Sequence, residues 1–484
     1  LAQLAVTGTL SDTYYMNAET HLDDVLQIAR RADPQIMAKI AIWARREGHM
    51  KDMPALLTAV LSVRAPELFP SVFTQAIDNG RMLRTFVQIM RSGAIGRKSL
   101  GSMPKRMVQA WLNTASDKAL LAASVGQSPS VADVIRMVHP NPVSAERDAF
   151  FAWLIGKPCD IELLPDAVRD WMAFKAGTKG IAVPDVPFQM LTSLPLTAKH
   201  WAKIAERGGW QMARMNLNTF QRHGVFGLTG KAHRIAAKLA DRSAIKRARA
   251  FPYQLMVAWM HANPDLPESI RNALQDAMEI ATANVPKIKG VVAVCPDVSG
   301  SMSWSVTGTR HGAESKVRCV DVAALTTASI LRANPQAHVL PFDVDVVRLR
   351  LNPRDSVMTT AEKLAAIGGG GTACSAPIAR LNKMRARVDM VILVSDNESW
   401  ADRGHAWGRG TPVMKEWIKL KRRNPDARLV CLDITPNQTT PAHERADVLN
   451  IGGFSDRVFD LIAAFSEDRL GPDHWISEIR KVRL

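Results

Sequence analysis

The sequence predicts a multidomain chain, all-α over roughly its first 285 residues and α/β with a doubly wound parallel sheet over the rest. Three observations carry this. Up to about residue 285, apolar residues recur at three-to-four spacing with little strand-like alternation. The stretch Asn284-Val285-Pro286-Lys287-Ile288-Lys289-Gly290 reads as a linker, with a proline and a glycine. Beyond it, short β-branched runs alternate with helical patterns.

The elements follow in order. Residues 24–46 place Val25, Ile28, Ala29, Ile36, Ile40 and Trp43 at helical spacing. Residues 53–63, 71–77 and 83–90 repeat the pattern in short pieces, punctuated by Pro54, Pro66, Pro70, Asn79-Gly80 and Gly93. Many short helices with tight turns predict an α-solenoid or repeat array, although no fixed period is clean. Val291-Val292-Ala293-Val294-Cys295, closed by Pro296, reads as a buried strand. A helix follows over 317–331. Further strands are expected over 338–342, 390–395 and 428–434, with helices between them over 361–367, 376–387 and 414–422. In such sheets ligands bind at the carboxyl ends of the strands.

Composition narrows the class. An apolar fraction of 47% is ordinary for a folded protein, and no run of about 18 apolar residues is present to span a membrane. Residues 1–12 lack a basic segment followed by an apolar one, so no secretory signal is expected there, although Leu1 need not be the native start. The five cysteines, Cys159, Cys295, Cys319, Cys374 and Cys431, are odd in number and contain no CxxC pair. That argues against a disulfide framework or a zinc ribbon and fits a reducing, cytoplasmic setting. Net charge is +16, unevenly spread: residues 1–289 hold 36 Lys+Arg against 24 Asp+Glu, leaving 26 against 22 beyond. The basic part suggests a polyanionic partner, most simply nucleic acid; a merely soluble basic surface is the alternative.

Three loops hold the first candidate site. Asp297-Val298-Ser299-Gly300-Ser301 directly follows the first strand and spaces a carboxylate and two hydroxyls at i, i+2 and i+4. Gly368-Gly369-Gly370-Gly371-Thr372 ends in a hydroxyl just before a helix, and its glycines let backbone approach a ligand closely. Ser395-Asp396-Asn397-Glu398 sits past the 390–395 strand. Asp297, Ser299, Ser301, Thr372 and Asp396 would form a hard oxygen site without His or Cys, suited to Mg²⁺ first, with Mn²⁺ and Ca²⁺ as alternatives. Its low ligand charge would leave the ion seeking one more oxygen, a carboxylate or phosphate from a partner. The bland alternative is a set of polar groups that merely cap helices.

This order resembles the von Willebrand factor A domain, whose metal-ion-dependent adhesion site has the pattern DxSxS…T…D; all five positions match. The stretch VILVSDNESW over residues 391–400 resembles the third loop of the Ro ribonucleoprotein family in particular. Upstream, Met215-Asn216-Leu217-Asn218, Gly224-Val225-Phe226 and Ile245-Lys246-Arg247-Ala248-Arg249-Ala250-Phe251-Pro252 resemble the core of the TROVE module of Ro proteins. The resemblance covers nearly the whole chain and is best over 200–460. It implies a bacterial-type Ro protein: an all-α HEAT-like helical repeat ring (TROVE, residues 1–285) followed by an α/β doubly wound von Willebrand factor A-like domain (residues 286–484). It also implies binding of small noncoding Y RNAs outside the ring and of single-stranded RNA ends through its hole.

The residues in the TROVE-like part agree with that chemistry. Lys231, Arg234, Lys238 and Arg242 are spaced 3, 4 and 4 apart, so a continuous helix would put them on one face, over a buried stripe of Ile235 and Leu239. Ser243 is a plausible N-cap, which would break the helix near Asp241 and put Lys246, Arg247 and Arg249 on the next one. Such a stripe binds phosphates without reading sequence; a solvated charged face is the alternative. Lys199, His200, Arg214, Asn216, Asn218, Arg222 and His223 are further RNA-binding candidates. His223 reads more readily as a packing residue, and Asn216 and Asn218 either bond a base edge or cap a helix. Trp43, Trp111, Trp153, Trp171, Trp201 and Trp259 fall at apolar helical positions and read as core before stacking platforms. Lys419, Lys421, Arg422 and Arg423 read as the solvated end of a helix; Arg480, Lys481 and Arg483 are unassigned.

The expectation is therefore a noncatalytic RNA-binding protein for RNA quality control or stress handling. The alternative is a scaffold whose A-like domain captures a protein partner, such as a ribonuclease, through the metal or through RNA. A two-metal phosphodiesterase is disfavoured, because only Asp297 and Asp396 are plausible carboxylate ligands, with Glu398 nearby, and no nucleophile–base pair stands out.

Overall fold

The computed structural model describes residues 1, 5, 18–306, 316–396, 411–435, 442, 445–454, 458–467 and 477–484. The chain divides into two compact units: Leu1–Val6 with Asp24–Arg207 and Ile476–Leu484, and Thr7–Asp23 with Gly208–Trp475.

The first unit is helical. Its elements are the part of α1 (Ala18–Arg31) from Asp24 onward, α2 (Pro34–Arg46), α3 (Asp52–Arg64), α4 (Phe69–Ala76), α5 (Gly80–Ser92), α6 (Ser102–Thr114), α7 (Asp117–Ser124), α8 (Val131–Val138), α9 (Ala145–Leu154), α10 (Asp166–Lys175) and α11 (Ala198–Arg207). The stripe read over 24–46 is two helices. Asp33 ends the first and caps the second, accepting from Ile36 N at 2.9 Å, and Pro34 cannot supply the amide that a continuous helix needs. Neighbouring helices pack in pairs, α2 on α3 and α3 on α5. α3 is buried almost all round, and its Thr58 and Ser62 hydroxyls donate back to Pro54 O and Ala59 O, both at 2.7 Å. Buried hydroxyls satisfied within their own helix leave the surface that packs apolar. Phe69, Phe73 and Phe86 interlock beside it, with ring centroids 5.2–5.8 Å apart.

α5 and α7 meet at Gly80, where an added Cβ would lie 2.1 Å from Ala123 Cβ and 2.8 Å from its Cα. Ala is the better helix former by about 1 kcal/mol, but overpacking costs about 1–3 kcal/mol. Gly80→Ala is therefore expected to destabilise the protein in urea titration, and an unchanged midpoint would refute the close approach.

The second unit starts with α12 (Trp210–Met215), α13 (Leu217–Arg222), α14 (Lys231–Leu239), α15 (Arg242–Arg247), α16 (Pro252–Met260) and α17 (Glu268–Ala281). Then come β1 (Val292–Pro296), α18 (Cys319–Ala333), β2 (His338–Val339), α19 (Val357–Ala365), α20 (Ala376–Lys383), β3 (Met390–Ser395), α21 (Pro412–Lys421), β4 (Arg428–Asp433), β5 (Val448–Gly452) and α22 (Val458–Ser466). The strands form one parallel sheet in the order β2-β1-β3-β4-β5. β1 and β3 are buried along their whole length, as expected of a strand covered by helices on both faces. The fold is thus a helical part followed by an α/β doubly wound domain, as the periodicity predicted. β5 was not foreseen: Asn450 and Gly452 break its apolar run, and as an edge strand it is only half-buried. The strand expected over 338–342 shrinks to two residues, because Pro341 has no amide to donate; Phe342 reaches the sheet through one bridge to Asp297.

α17 is tied to the sheet domain by Glu279. Its Oε2 accepts from Arg332 Nη2 at 2.9 Å on α18, and its Oε1 accepts from Val357 N at 2.6 Å, the first residue of α19. On the far side of the sheet, Trp417 of α21 is fully buried and donates to Asp447 Oδ2 at 3.0 Å. The same carboxylate pairs with Lys421 at 3.6 Å. Lys421 also donates to Pro425 O and to Ala427 O, so it is not a solvated helix end but the clasp of the turn after α21.

Candidate metal centre and basic surface

In a sheet ordered 2-1-3-4-5, the strand order reverses between β1 and β3, and a crevice opens at their carboxyl ends. Asp297 follows β1 there, and Asp396 follows β3. The backbone of Asp297 continues the ladder, donating to Val394 O at 2.8 Å, and its side chain is fully buried. Asp297 Oδ1 accepts from Ser299 N at 2.8 Å and Oδ2 from Ser395 Oγ at 2.6 Å. Ser299 Oγ accepts from Thr372 Oγ1 at 2.9 Å and lies 3.3 Å from Ser301 Oγ. Loops far apart in sequence thus bring Asp297, Ser299, Ser301 and Thr372 into one hydrogen-bonded group. Asp396 is also buried. Asn397 and Glu398 lie outside the described residues.

The glycine loop is seated by backbone contact. Gly300 N donates to Gly370 O at 2.9 Å, and a Cβ on Gly369 would stand 2.7 Å from Asp343 Oδ2 and 3.0 Å from Val298 O. Asp343 also accepts Ala373 N on its carbonyl at 2.8 Å. Sequence reasoning gave no role to Asp343 or to Ser395. The signal that marks both is position: each is a polar residue at the carboxyl end of a strand of an open parallel sheet.

Burial first, and then the neighbouring Asp396 carboxylate, push Asp297 up to about 7, against hydrogen bonds from Ser299 and Ser395 that pull it down. Two buried carboxylates that raise each other's cost of ionisation, beside three hydroxyls and with no nitrogen or sulfur donor among them, fit a small hard cation. Among the described residues no group of three or more His, Cys, Asp or Glu converges. An ion here would therefore rely on hydroxyls, and the residues that would hold it are Asp297, Ser299, Ser301, Thr372 and Asp396. The five cysteines are free thiols.

The basic candidates sort by what they touch. Lys231, Arg234 and Lys238 share α14, with Ile235 and Leu239 buried beneath. Arg242 does not continue that helix; it opens α15. The break falls where it was expected, but the cap is Asp241, whose Oδ1 accepts from Ala244 N at 2.6 Å, and not Ser243. Either residue type caps well, and the chain's turn at Ala240 selects the earlier one. Arg242, Lys246, Arg247 and Arg249 are exposed, and among the described residues Arg242, Lys246 and Arg247 have no ion-pair partner. Lys238 reaches Gly208 O at 2.7 Å.

Arg214 donates to Gln254 O at 2.7 Å and lies over the Trp210 ring. Asn216 donates to Met212 O at 2.8 Å. Asn218 donates to His261 O at 2.7 Å and accepts from Asn263 N at 2.8 Å, pinning the turn after α16. Both asparagines thus bond backbone groups. Arg222 and His223 are exposed at the end of α13, so His223 is not a core packing residue. Lys199, on α11 of the first unit, is exposed; His200 beside it meets Phe174 edge to face at 5.3 Å. Of the tryptophans, Trp201 is buried, and Trp153 and Trp171 meet at 5.8 Å.

Comparison with known proteins places this architecture. Residues 289–466 match the family model of the Ro60 vWA domain. RNA-binding protein RO60 of Deinococcus radiodurans is 25% identical over 502 positions, covering 96% of this chain and 92% of that protein. The crystal structure of the Deinococcus radiodurans RO (RSR) protein shares the fold, with a TM-score of 0.71 and 20% identity over 97% of this chain and 99% of that one. The A-like domain is thus matched as a Ro60 vWA domain, and along nearly its whole length the chain is similar to a bacterial Ro protein and shares that protein's fold.

Proposed function

We propose that this chain is a noncatalytic RNA-binding protein that holds small noncoding, Y-like RNA and the single-stranded ends of structured or misfolded RNA, in RNA quality control or the stress response. The observation that carries the reading is the surface of α14 and α15. Residues 208–250 hold nine Lys or Arg and one carboxylate, Asp241, which is occupied as a helix cap. Arg242, Lys246 and Arg247 stand exposed without an acidic partner among the described residues. Such a surface neutralises phosphates and releases counterions. That the Deinococcus relative is named an RNA-binding protein supports it. No helix of the described residues is long and apolar enough to cross a membrane. The five cysteines, all thiols, support a reducing, cytoplasmic setting as part of this reading.

Filter binding with a structured small RNA at several salt concentrations tests this. The parent should show a steep negative slope of log affinity against log salt. Lys246→Ala with Arg247→Ala should weaken binding about tenfold and flatten the slope by roughly 1.4–1.8, because two fewer phosphates are neutralised. Weak binding without a salt slope would overturn the reading. No metal-dependent RNA cleavage is expected; cleavage lost in Asp396→Ala would revive hydrolysis.

The oxygen cluster favours a second role that coexists with the first. With Mg²⁺ bound, or Mn²⁺ or Ca²⁺, the site would offer an open position to a partner's carboxylate or phosphate, and a protein such as a ribonuclease is the natural candidate. Asp297→Ala that keeps RNA binding but loses a co-purifying protein would support it.

A further inference from the structure

A cavity of about 380 Å³ opens in the second unit between α16, the start of α18, and α19. None of its lining residues belongs to the oxygen cluster or to the basic face. Its size is that of a site for a small organic molecule. Met256, Trp259 and Met260 of α16 and Met358 of α19 form much of its wall. Thioethers are polarizable and adapt to irregular shapes, and an indole face attracts cations.

Charge decides the ligand class. Arg318 and Asp321 both line the cavity, but they satisfy each other: Arg318 Nη2 meets Asp321 Oδ1 at 2.8 Å and Nε meets Oδ2 at 3.1 Å. Glu362 lines it as well, and among the described residues no cation pairs with it. The surplus is one negative charge beside an aromatic ring and soft apolar walls. We propose that this cavity binds a small organic cation, its charged head between Glu362 and Trp259 and its apolar body against the methionines.

Isothermal titration of the full chain with three probes of one shape tests this: 4-tert-butylbenzylammonium, 4-tert-butylbenzyl alcohol and 4-tert-butylbenzoate. The ammonium should bind at least tenfold tighter than the alcohol, and the benzoate weakest. Glu362→Gln should erase the ammonium's advantage. Glu362→Lys should reverse the order, and binding of benzoate by that variant shows that it is folded. Ala366→Trp, at another lining residue, should block every probe. The proposal is overturned if the three probes bind alike, if none binds, if benzoate binds the parent best, or if the ammonium's advantage survives Glu362→Gln.

Discussion

Asp297→Asn is expected to lose divalent-cation affinity by about 100-fold or more, yet to be more stable than the parent at pH 8 in chelator. The two halves have one cause. Asp297 is raised from 3.8 to about 7 by burial and by Asp396. A folded state that holds a proton more tightly than the unfolded chain loses stability as pH rises between those values. Above pH 7 the ion-free parent therefore carries a penalty on the order of a few kcal/mol. Asparagine keeps the shape without the charge. Its oxygen can accept from Ser299 N, and its amide can donate to Ser395 Oγ once that hydroxyl turns. The same carboxylate must be ionised to hold an ion, so Mg²⁺ affinity of the parent should fall as pH drops through about 7. Calorimetric Mg²⁺ and Mn²⁺ titrations at pH 6 and 8, with urea unfolding in chelator at pH 5 and 8, read both halves. Parent-like Mg²⁺ binding by the variant would remove the metal assignment.

Trp417→Ala should destabilise the second unit by about 3–5 kcal/mol, the usual range for emptying a fully buried aromatic site. Trp417 belongs to one buried cluster with Val391 and Leu393 of β3, Leu429 and Cys431 of β4, and Ile378 and Leu381 of α20, so its loss opens a void under the sheet. Trp417→Phe separates the two contributions: it keeps most of the packing and removes only the bond to Asp447, which Arg445 and Lys421 still hold. That variant should lose about 1–2 kcal/mol. If alanine cost no more than phenylalanine, packing would not be what Trp417 supplies.

The fold was legible where one residue type did one job. β1 and β3 read as apolar runs because both faces are covered, and the strand ends could be located from them. The convergence of Asp297, Ser299, Ser301 and Thr372 followed from loops at those ends. What escaped depended on long-range choice. Asn218 could have faced a ligand or a carbonyl; a turn 43–45 residues away takes it. Asp241 and Ser243 are both good caps, and composition does not choose between them. β5 hid because an edge strand needs only half of an apolar pattern. Asp343 escaped since a lone aspartate after a proline-interrupted strand reads as a turn residue.

Glu279 has a consequence for how such a protein can be rearranged. Were recombination to lift the sheet domain out at residue 289, where the family match begins, the acceptor of Val357 N–H and the partner of Arg332 would stay behind. The inherited module would carry an unsatisfied amide at the start of α19 and a guanidinium without its carboxylate, held only by the Pro353 and Asp355 carbonyls. Shuffling that keeps α17 with the sheet avoids both losses, so Glu279 moves the heritable seam of the domain ahead of Glu268, 21 residues upstream of the one that sequence similarity draws.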